Sequence, residues 1–360
     1  MADKKRFAFV IHPRDKFDVG RRRWWEFTRL LPERLVEQLI LTQRGDGPFT
    51  LCSSFTLGSN VEGFIVTVPL TARQMITLPS TFVRNRILET VRYAQNRLEA
   101  SWIGLGAFTS SVTDGGKWLK RQGITAIMTH GDTYAVVATL QSIKKLMEPT
   151  ARPTTAILGA TGIIGSALSK ILAQENYPLI LVGRNQNKLA KLGESIGKNG
   201  SVFCTIDLRE MRAADLVVTV TSHPGSLVEP HHLKRGAVVL DVAQPSNVSA
   251  DIVTKRPDVT RLDSPHITLP LGVNLGFNMG PPSGTTFPCL AETALMTLTG
   301  SIENQVGKIS LDHLQTIQKW AQKYGFTLAP FTSFGKPGSV QGVQLKGMQV
   351  TPLETTKEAS

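Results

Sequence analysis

A short apolar run followed by closely spaced glycines is the feature that most constrains how this chain folds. The run 154–158 leads into Gly159, Gly162 and Gly165, and apolar residues at helical spacing follow. This order predicts a strand, a tight turn and a helix. The glycines let the backbone approach a pyrophosphate, which binds at the helix N-terminus. The expected cofactor contacts are Gly159, Thr161, Gly162, Ile163, Ile164 and Gly165.

A basic residue at the end of the second strand indicates which dinucleotide binds. The strand 178–182 is followed by Gly183 and Arg184, 19 residues after Gly165. An NAD site usually has a carboxylate here, whereas an arginine binds a ribose 2′-phosphate through paired charged hydrogen bonds. Lys188 would add a second positive charge. The pattern favours NADP(H), and the alternative is an arginine that only caps a surface turn.

Strands and helices alternate on both sides of this turn, which predicts an α/β fold. We expect residues 151–334 to form a Rossmann-type doubly wound parallel sheet, together with Cys289 and the C-terminal helices. Residues 1–150 are expected to form a smaller α/β domain that binds substrate and carrier, and residues 335–360 a disordered tail. Within the nucleotide domain, the ends of the fourth and fifth strands place Thr221, Ser222 and Asp241 near the nicotinamide.

The charge of the chain indicates an acidic partner. The net charge is +12, and residues 1–44 hold eleven Lys or Arg against six Asp or Glu. Within them, the run 21–25 joins three arginines to two tryptophans. It is compatible with docking of an acidic carrier protein, with peripheral contact to a membrane, or with a solvated basic turn. No zinc-finger or RNA-binding motif is present, so nucleic acid is not an expected partner.

Three widely separated cysteines make no disulfide framework, which favours a reducing, cytoplasmic location. No apolar run approaches the ~18–20 residues of a membrane span, and the N-terminus lacks a signal-peptide pattern. The sequence also contains no spacing typical of a metal site.

Cys289 differs from the other two cysteines. Cys52 and Cys204 lie within strands and are expected to be buried. Cys289 follows a Gly- and Pro-rich stretch and stands at a predicted helix N-terminus, where the helix dipole would lower the pKa of its thiol. Packing and nucleophilic catalysis both remain compatible with this position. A nucleophilic thiol beside a nicotinamide would take an acyl group and release it as an aldehyde after hydride transfer.

Two hydroxyl-rich loops follow predicted strands, at residues 106–111 and 129–134. They contain Ser110 and His130, which could donate hydrogen bonds to a developing oxyanion. Ordinary helix capping and turn formation explain the same composition.

Six motifs, in order along the chain, resemble the long-chain fatty acyl-[acyl-carrier-protein] reductases, the aldehyde-forming enzymes of cyanobacterial alkane synthesis. They are Phe9–Pro13, Gly104–Ser110, Thr129–Tyr134, Gly159–Gly165, Val182–Arg184 and Phe287–Glu292. The resemblance implies that Cys289 is the acylated nucleophile and that NADPH donates the hydride. It also implies an acyl-carrier protein or acyl-CoA as the acyl donor, and a further enzyme that consumes the aldehyde.

Departures from that family keep other functions open. Residues 129–132 read Thr-His-Gly-Asp where the cyanobacterial pattern is Thr-Thr-Gly-Asn, and residues 242–245 lack its Gly-Gly run. One alternative is a shikimate- or short-chain-dehydrogenase-like enzyme that transfers hydride directly. The other is a scaffold that senses NADP(H) and binds a carrier protein.

Overall fold

Two largely parallel sheets, each alternating with helices, form the cores of the chain. The computed structural model describes residues 4–146, 152–197, 201–223 and 225–337. Contacts between Cα atoms group the chain into two units. The first unit is Met1–Ala135 with Ile267–Thr327, and the second is Val136–His266 with Leu328–Ser360.

The first unit is built on a five-stranded sheet. Its strands are β1 (Lys5–Ile11), β2 (Leu51–Leu57), β3 (Val61–Thr67), β4 (Trp102–Leu105) and β5 (Ile127–Thr129). The strand order is β2-β3-β1-β4-β5, and only β2 is antiparallel to its neighbour. The α-helices between β1 and the second sheet are α1 (Lys16–Val19), α2 (Glu33–Leu41), α3 (Ala72–Thr77), α4 (Ser80–Arg97), α5 (Phe108–Val112), α6 (Lys117–Arg121) and α7 (Asp132–Lys145). A 3₁₀ helix covers Glu26–Leu30.

The residue pattern of β1 explains why this sheet lies in a core. Phe7, Ala8, Phe9 and Val10 are all buried. A continuous apolar run of this kind is typical of a parallel strand covered on both faces. Because β1, β3, β4 and β5 run in one direction, the loops that follow them emerge at the same edge of the sheet.

The second unit contains a six-stranded sheet. Its strands are β6 (Thr155–Leu158), β7 (Leu179–Val182), β8 (Val202–Thr205), β9 (Leu216–Thr219), β10 (Val238–Asp241) and β11 (Thr260–Asp263). Its helices are α8 (Ile163–Gln174), α9 (Gln186–Ile196) and α10 (Ile252–Lys255), with 3₁₀ helices at Leu208–Ala213 and Pro230–His232. All neighbouring strands are parallel, in the order β8-β7-β6-β9-β10-β11. This is the 3-2-1-4-5-6 order of the Rossmann fold, so the predicted fold class is confirmed.

The remaining elements follow the second sheet in sequence. They are β12 (Ile267–Thr268), β13 (Thr285–Thr286), α11 (Pro288–Thr299), α12 (Leu311–Tyr324), β14 (Thr327–Leu328), β15 (Thr332–Ser333) and β16 (Lys336–Pro337). β12 pairs with β13, and β15 pairs with β16, both antiparallel.

The helix that carries Cys289 belongs to the first unit. This differs from the predicted domains, which placed Cys289 with residues 151–334. α11 packs against β1 and β4. The close packing depends on Gly104 in β4, where an added Cβ would lie 2.9 Å from the Cβ of Thr293 in α11. A strand without a side chain there lets the helix lie directly on the sheet. Cys289 is therefore grouped with the N-terminal strands and not with the six-stranded sheet.

Two predictions fall wholly or partly outside the described residues. The predicted domain boundary at residue 150 lies in the stretch 147–151. Of the predicted tail, residues 338–360 lie outside, while Lys336 and Pro337 complete the β15–β16 pair. Across the described residues, no helix combines the length and the apolar character needed to cross a lipid bilayer.

Candidate active site around Cys289

Cys289 occupies the second position of α11, as the sequence predicts. Phe287 is the N-cap residue and Pro288 the first helical residue, and no side chain caps the N-terminus. Proline is well suited to this position because its fixed φ matches the helix and its missing N–H would have no partner there. The Cys289 side chain is partly buried.

The loop between β5 and α7 lies directly against Cys289. Gly131 has a φ of +73°, and an added Cβ would lie 2.6 Å from the Cα of Cys289 and closer still to its Cβ. Only glycine accommodates both the left-handed backbone and this approach. Gly131 was not predicted as a site residue, although a glycine between two titratable residues after a strand is a usable signal.

The buried carboxylate of Glu292, about one helical turn after Cys289, joins α11 to this loop. Glu292 has no exposed surface. It accepts hydrogen bonds from Thr129 Oγ1 at 2.6 Å and from the Tyr134 backbone N–H, in the first turn of α7, at 2.7 Å. His313 Nε2 lies 3.8 Å from Glu292 Oε1, beyond hydrogen-bond length. Burial disfavours the ionised form, but His313, His130 and Thr129 together hold the pKa of Glu292 below its usual value.

Glu292 and His313 were not predicted as site residues. Glu292 is the one charged residue in the otherwise uncharged helix 288–299. A carboxylate at a buried helical position needs partners in the core, which is the signal that would have identified it. No sequence feature links it to His313, because the two residues lie on different helices.

His130 and Asp132 flank Gly131 and form a pair. His130 is 1% exposed, and its Nδ1 accepts the Asp132 backbone N–H at 3.0 Å while lying 3.3 Å from Asp132 Oδ2. An accepting Nδ1 places the proton of a neutral ring on Nε2. Nε2 is buried and has no hydrogen-bond partner among the described residues. A buried donor without a partner is a group that a bound ligand can satisfy.

The surroundings of Asp132 favour its neutral form. Burial raises the pKa of Asp132 to about 6, His130 opposes this shift, and the charge on Glu292 adds to it. A carboxyl with a pKa near neutrality can both accept and return a proton at physiological pH.

The expected lowering of the Cys289 pKa is wrong. Burial, followed by the charge on Asp132, raises the pKa of the thiol to about 12; Glu292 adds to this shift, while backbone hydrogen bonding at the helix start opposes it only partly. The helix dipole is therefore outweighed by loss of hydration and two nearby carboxylates. In the resting protein Cys289 is a neutral thiol that needs a base.

Ser110 lies in α5, in the loop region after β4, at the same sheet edge as His130. It is 4% exposed, and no hydrogen bond joins it to Cys289 or His130 within the described part of the chain. The loop is held by His12, whose Nε2 accepts the Phe108 N–H at 3.3 Å and whose ring stacks on Phe108. Burial lowers the pKa of His12 to about 4, which keeps it a neutral acceptor. His12 thus supports the loop that positions Ser110.

The predicted dinucleotide-binding turn 159–165 in the second unit, called the cradle below, has the expected strand-turn-helix structure. Gly162 is the N-cap of α8, and no side chain caps this helix. At Gly165 an added Cβ would lie 2.9 Å from the Cα of Ala160, so only glycine lets α8 start this close to β6. Thr161, Ile163 and Ile164 are only partly buried around this turn. Open N–H groups at a helix start, next to a backbone without side chains, fit a pyrophosphate.

Two cations extend beyond β7, next to the cradle. Gly159 N donates to Val182 O at 2.8 Å, which places the glycine turn against the end of this strand. Arg184 and Lys188 follow and are both exposed. Asn185 caps α9 by accepting from Lys188 N at 2.9 Å. In the described chain Arg184 takes part in no ion pair, so its guanidinium is available to an anion.

Three residues, Thr221, Ser222 and Asp241, are expected near the nicotinamide, and they differ in exposure. Ser222 is exposed, and Thr221 borders the cradle and donates to Asn247 Oδ1 at 2.7 Å. Asp241, by contrast, is 1% exposed and pairs with Arg261 at 2.8 Å. Thr219, Ser246 and the backbone of Asn247 also donate to its carboxylate. The carboxylate of Asp241 is therefore engaged by neighbouring strands and by the loop that follows it, and a cofactor contact at this residue stays a prediction.

Comparison with known proteins finds distant similarities to proteins of different activities. A sequence profile described as Shikimate / quinate 5-dehydrogenase matches residues 141–263. Aminotransferase PigE from a Serratia species is 27% identical over 357 residues, 92% of this chain; the chain spans 40% of the length of that relative. The long-chain acyl-[acyl-carrier-protein] reductase of Synechococcus elongatus is 24% identical over 320 residues, 84% of this chain and 89% of that protein.

Among solved structures, a dipicolinate synthase from Bacillus halodurans is 14% identical and aligns over 72% of this chain and 89% of its own, with a TM-score of 0.34. The matched dehydrogenase profile coincides with the Rossmann-type sheet and its glycine turn. The chain therefore carries the scaffold of an NAD(P)-dependent oxidoreductase.

Proposed function

We propose that this protein reduces a long-chain fatty acyl thioester to a fatty aldehyde with NADPH, through an acyl group carried on Cys289. The observation that carries the proposal is the placement of the Cys289 thiol at the start of α11, against Gly131 and beside the protonatable Asp132. The similarity to a reductase that acts on long-chain acyl-carrier protein supports the same chemistry, since it extends over 84% of the chain.

Asp132 is the base that this site requires. Because the Cys289 pKa is raised to about 12, the thiol must lose its proton as it attacks. The Asp132 carboxylate accepts that proton while the Cys289 sulfur bonds to the acyl carbon, and the leaving thiol of the carrier then takes it. The acyl group is thus exchanged between two thiols with no net proton change. A neutral acyl-cysteine also removes the repulsion between a thiolate and the two carboxylates.

His130 is positioned to assist the second half of the reaction. When bound, the reduced nicotinamide supplies the hydride that reduces the acyl group. The buried Nε2–H of His130 would stabilise the oxygen as it gains charge. Release of the aldehyde breaks its bond to the Cys289 sulfur, which leaves as a thiolate. Asp132 takes up one proton from solvent and passes it to this sulfur, which restores the thiol. We assign Ser110, in the neighbouring loop at the same edge, a supporting role in binding that oxygen.

We expect the rate of Cys289 acylation to rise with pH through about 6. Asp132 has its pKa raised to about 6 and acts as a base only when ionised, so the active form appears above this value. In Asp132→Asn the rise near pH 6 should disappear and acylation should slow by about 10²-fold or more. Rapid-quench measurement of the acyl-enzyme between pH 5 and 8, on both proteins, tests this. An unchanged profile in Asp132→Asn would assign the base to another group.

NADP(H) is preferred to NAD(H) because of Arg184 and Lys188. Both are exposed next to the glycine turn, and two cations suit a ribose 2′-phosphate better than a hydroxyl. Replacing Arg184 by Ala should raise the Kd for NADPH by roughly 10- to 100-fold, the worth of one charged hydrogen-bonded contact, and change that for NADH little. Titration of cofactor fluorescence with both nucleotides measures this. Lys170→Ala, an exposed cation further along α8, is the control and should leave both affinities unchanged.

The experiment that tests the proposed function is mass spectrometry of the intact protein after mixing with palmitoyl-carrier protein, or with palmitoyl-CoA, without NADPH. We expect a mass gain of one acyl group, mapped to Cys289 and lost with release of aldehyde when NADPH is added. The net charge of +12 suits either acidic donor, and the ratio of the two rates identifies the donor. The aldehyde product calls for a further enzyme that consumes it. No adduct from either donor, with turnover intact, would favour direct hydride transfer.

A further inference from the structure

The segment between β1 and β2 exposes large apolar side chains. Phe17 is 56% exposed, Trp24 77%, Phe27 52% and Leu30 89%. These four residues are called the N-terminal apolar surface below. Single exposed apolar residues are ordinary on a protein, but four such large ones within 14 positions indicate a contact surface.

The four side chains belong to one small folded layer. Val19, Val36, Ile40 and Phe49 form its core, and Trp25 and Leu31 pack against that core. Lys16 Nζ lies 5.2 Å from the Phe17 ring centroid and donates to Leu31 O at 2.7 Å. Trp25 stacks on Phe27 with centroids 6.0 Å apart. α1, which carries Phe17, packs against the 3₁₀ helix 26–30, which carries Phe27 and Leu30.

The backbone holds Trp24 in an unfavourable conformation. Its φ is +72°, in the left-handed region that bulky side chains rarely adopt. Arg23 stacks on its indole, with the guanidinium carbon 5.0 Å from the ring. A strained residue that displays an aromatic ring and a stacked cation to solvent is typical of a functional position.

Charges around this surface are predominantly positive. Arg23, Arg29 and Arg34 are exposed. The acidic residues of the segment are mostly engaged: Asp18 pairs with Arg14 and Arg21, and Glu33 accepts the Lys16 backbone N–H. The same segment therefore carries three exposed arginines, one of them on the Trp24 ring, and Glu26 as an exposed acidic residue.

We infer that the N-terminal apolar surface inserts into an anionic membrane surface. Protruding rings and a leucine gain most from a fluid phase that closes around each of them, and arginines next to them are attracted to acidic head groups. A carrier protein would have to provide a fitted pocket for each side chain. The inference concerns binding only and does not depend on the proposed reaction, although a membrane would also receive a long-chain aldehyde.

The test is co-sedimentation of the full chain with vesicles of phosphatidylglycerol and phosphatidylcholine in equal parts, and with vesicles of phosphatidylcholine alone. Binding is expected to the first and to be at least about tenfold weaker to the second. Trp24→Asn with Leu30→Gln should weaken binding at least about tenfold and remove the blue shift of tryptophan emission on vesicles. Asparagine is tolerated at positive φ, so folding should be retained, as thermal unfolding will show.

The matched control is Phe203→Thr with Ile206→Thr, which removes two apolar side chains of similar exposure, 53% and 59%, at the β8 strand of the other unit. This variant should bind vesicles as the parent does. Equal loss in both variants, or binding that depends on the arginines but not on Trp24 and Leu30, would overturn the insertion. Failure to bind vesicles combined with binding to a soluble acidic carrier protein would overturn it in favour of the carrier. Acylation of Cys289 is measured separately and is not affected by these outcomes.

Discussion

Cys289→Ala is expected to lower aldehyde formation by about a thousandfold or more while NADPH still binds. The thiol is the one atom that becomes covalently attached to the acyl group in the proposed reaction, and no neighbouring side chain can replace it. The proposed dinucleotide contacts lie in the turn after β6, at the start of α8 and just after β7, whereas Cys289 lies on a helix packed against β1 and β4. Cofactor binding should therefore persist. Aldehyde release, NADPH oxidation and cofactor fluorescence, measured on the same sample, check the three parts of this expectation.

The control for this substitution is Cys204→Ala. Cys204 lies in β8, and its thiol donates weakly to Leu189 O at 3.6 Å. Burial alone raises its pKa, with no contribution from a neighbouring carboxylate that could act as a base, so no reactivity is expected of it. This variant should turn over and become acylated like the parent. Full turnover by Cys289→Ala would contradict the covalent route and favour direct hydride transfer to a carbonyl. If the parent itself turns over no acyl thioester but binds a carrier protein in an NADPH-dependent manner, the sensing scaffold is the better explanation.

Local sequence patterns were sufficient to predict the second unit. Gly162 and Gly165 are needed because α8 begins very close to β6, the strand that precedes it. This need depends only on residues near them in the sequence, so a local pattern is enough to predict it. The alternation of strand and helix then constrains the sheet to be parallel. The 3-2-1-4-5-6 order and the exposed Arg184 both follow the prediction for these reasons.

The properties of the Cys289 site depend on residues distant in sequence, and there the predictions were less successful. The pKa of Cys289 was expected to fall because the helix start is a local feature. It rises because α11 packs against the loop that carries Asp132, more than 150 residues earlier. Similarly, the sequence did not predict that Arg261, on the next strand, engages the carboxylate of Asp241. Neither pairing has a periodicity or a spacing that a single sequence displays.

The same dependence on packing makes Gly131 the most sensitive residue outside the reacting groups. In Gly131→Ala the new methyl would overlap Cys289 at both Cα and Cβ, and φ would have to remain near +73°. The neighbour here is backbone at a helix start, which cannot rotate away, so the loop must withdraw from the thiol. Displacement of a catalytic group by about 1 Å can reduce a rate by about 10²-fold. We expect at least this loss in Cys289 acylation, with NADPH affinity unchanged.

Gly123→Ala separates this steric effect from the cost of the backbone conformation. Gly123 has a similar φ of +82°, but an added Cβ there meets no atom within 4 Å. The Gly123→Ala substitution should lower the free energy of unfolding by only about 1 kcal/mol, the usual cost of a left-handed alanine, and leave the rate of acylation unchanged. Thermal unfolding and the acylation rate of both variants distinguish the two effects. If Gly131→Ala lowers stability as Gly123→Ala does but acylates at the parental rate, the loop does not position Asp132 and His130 for the thiol. The base in the proposed reaction must then be sought elsewhere at the edge of the first sheet.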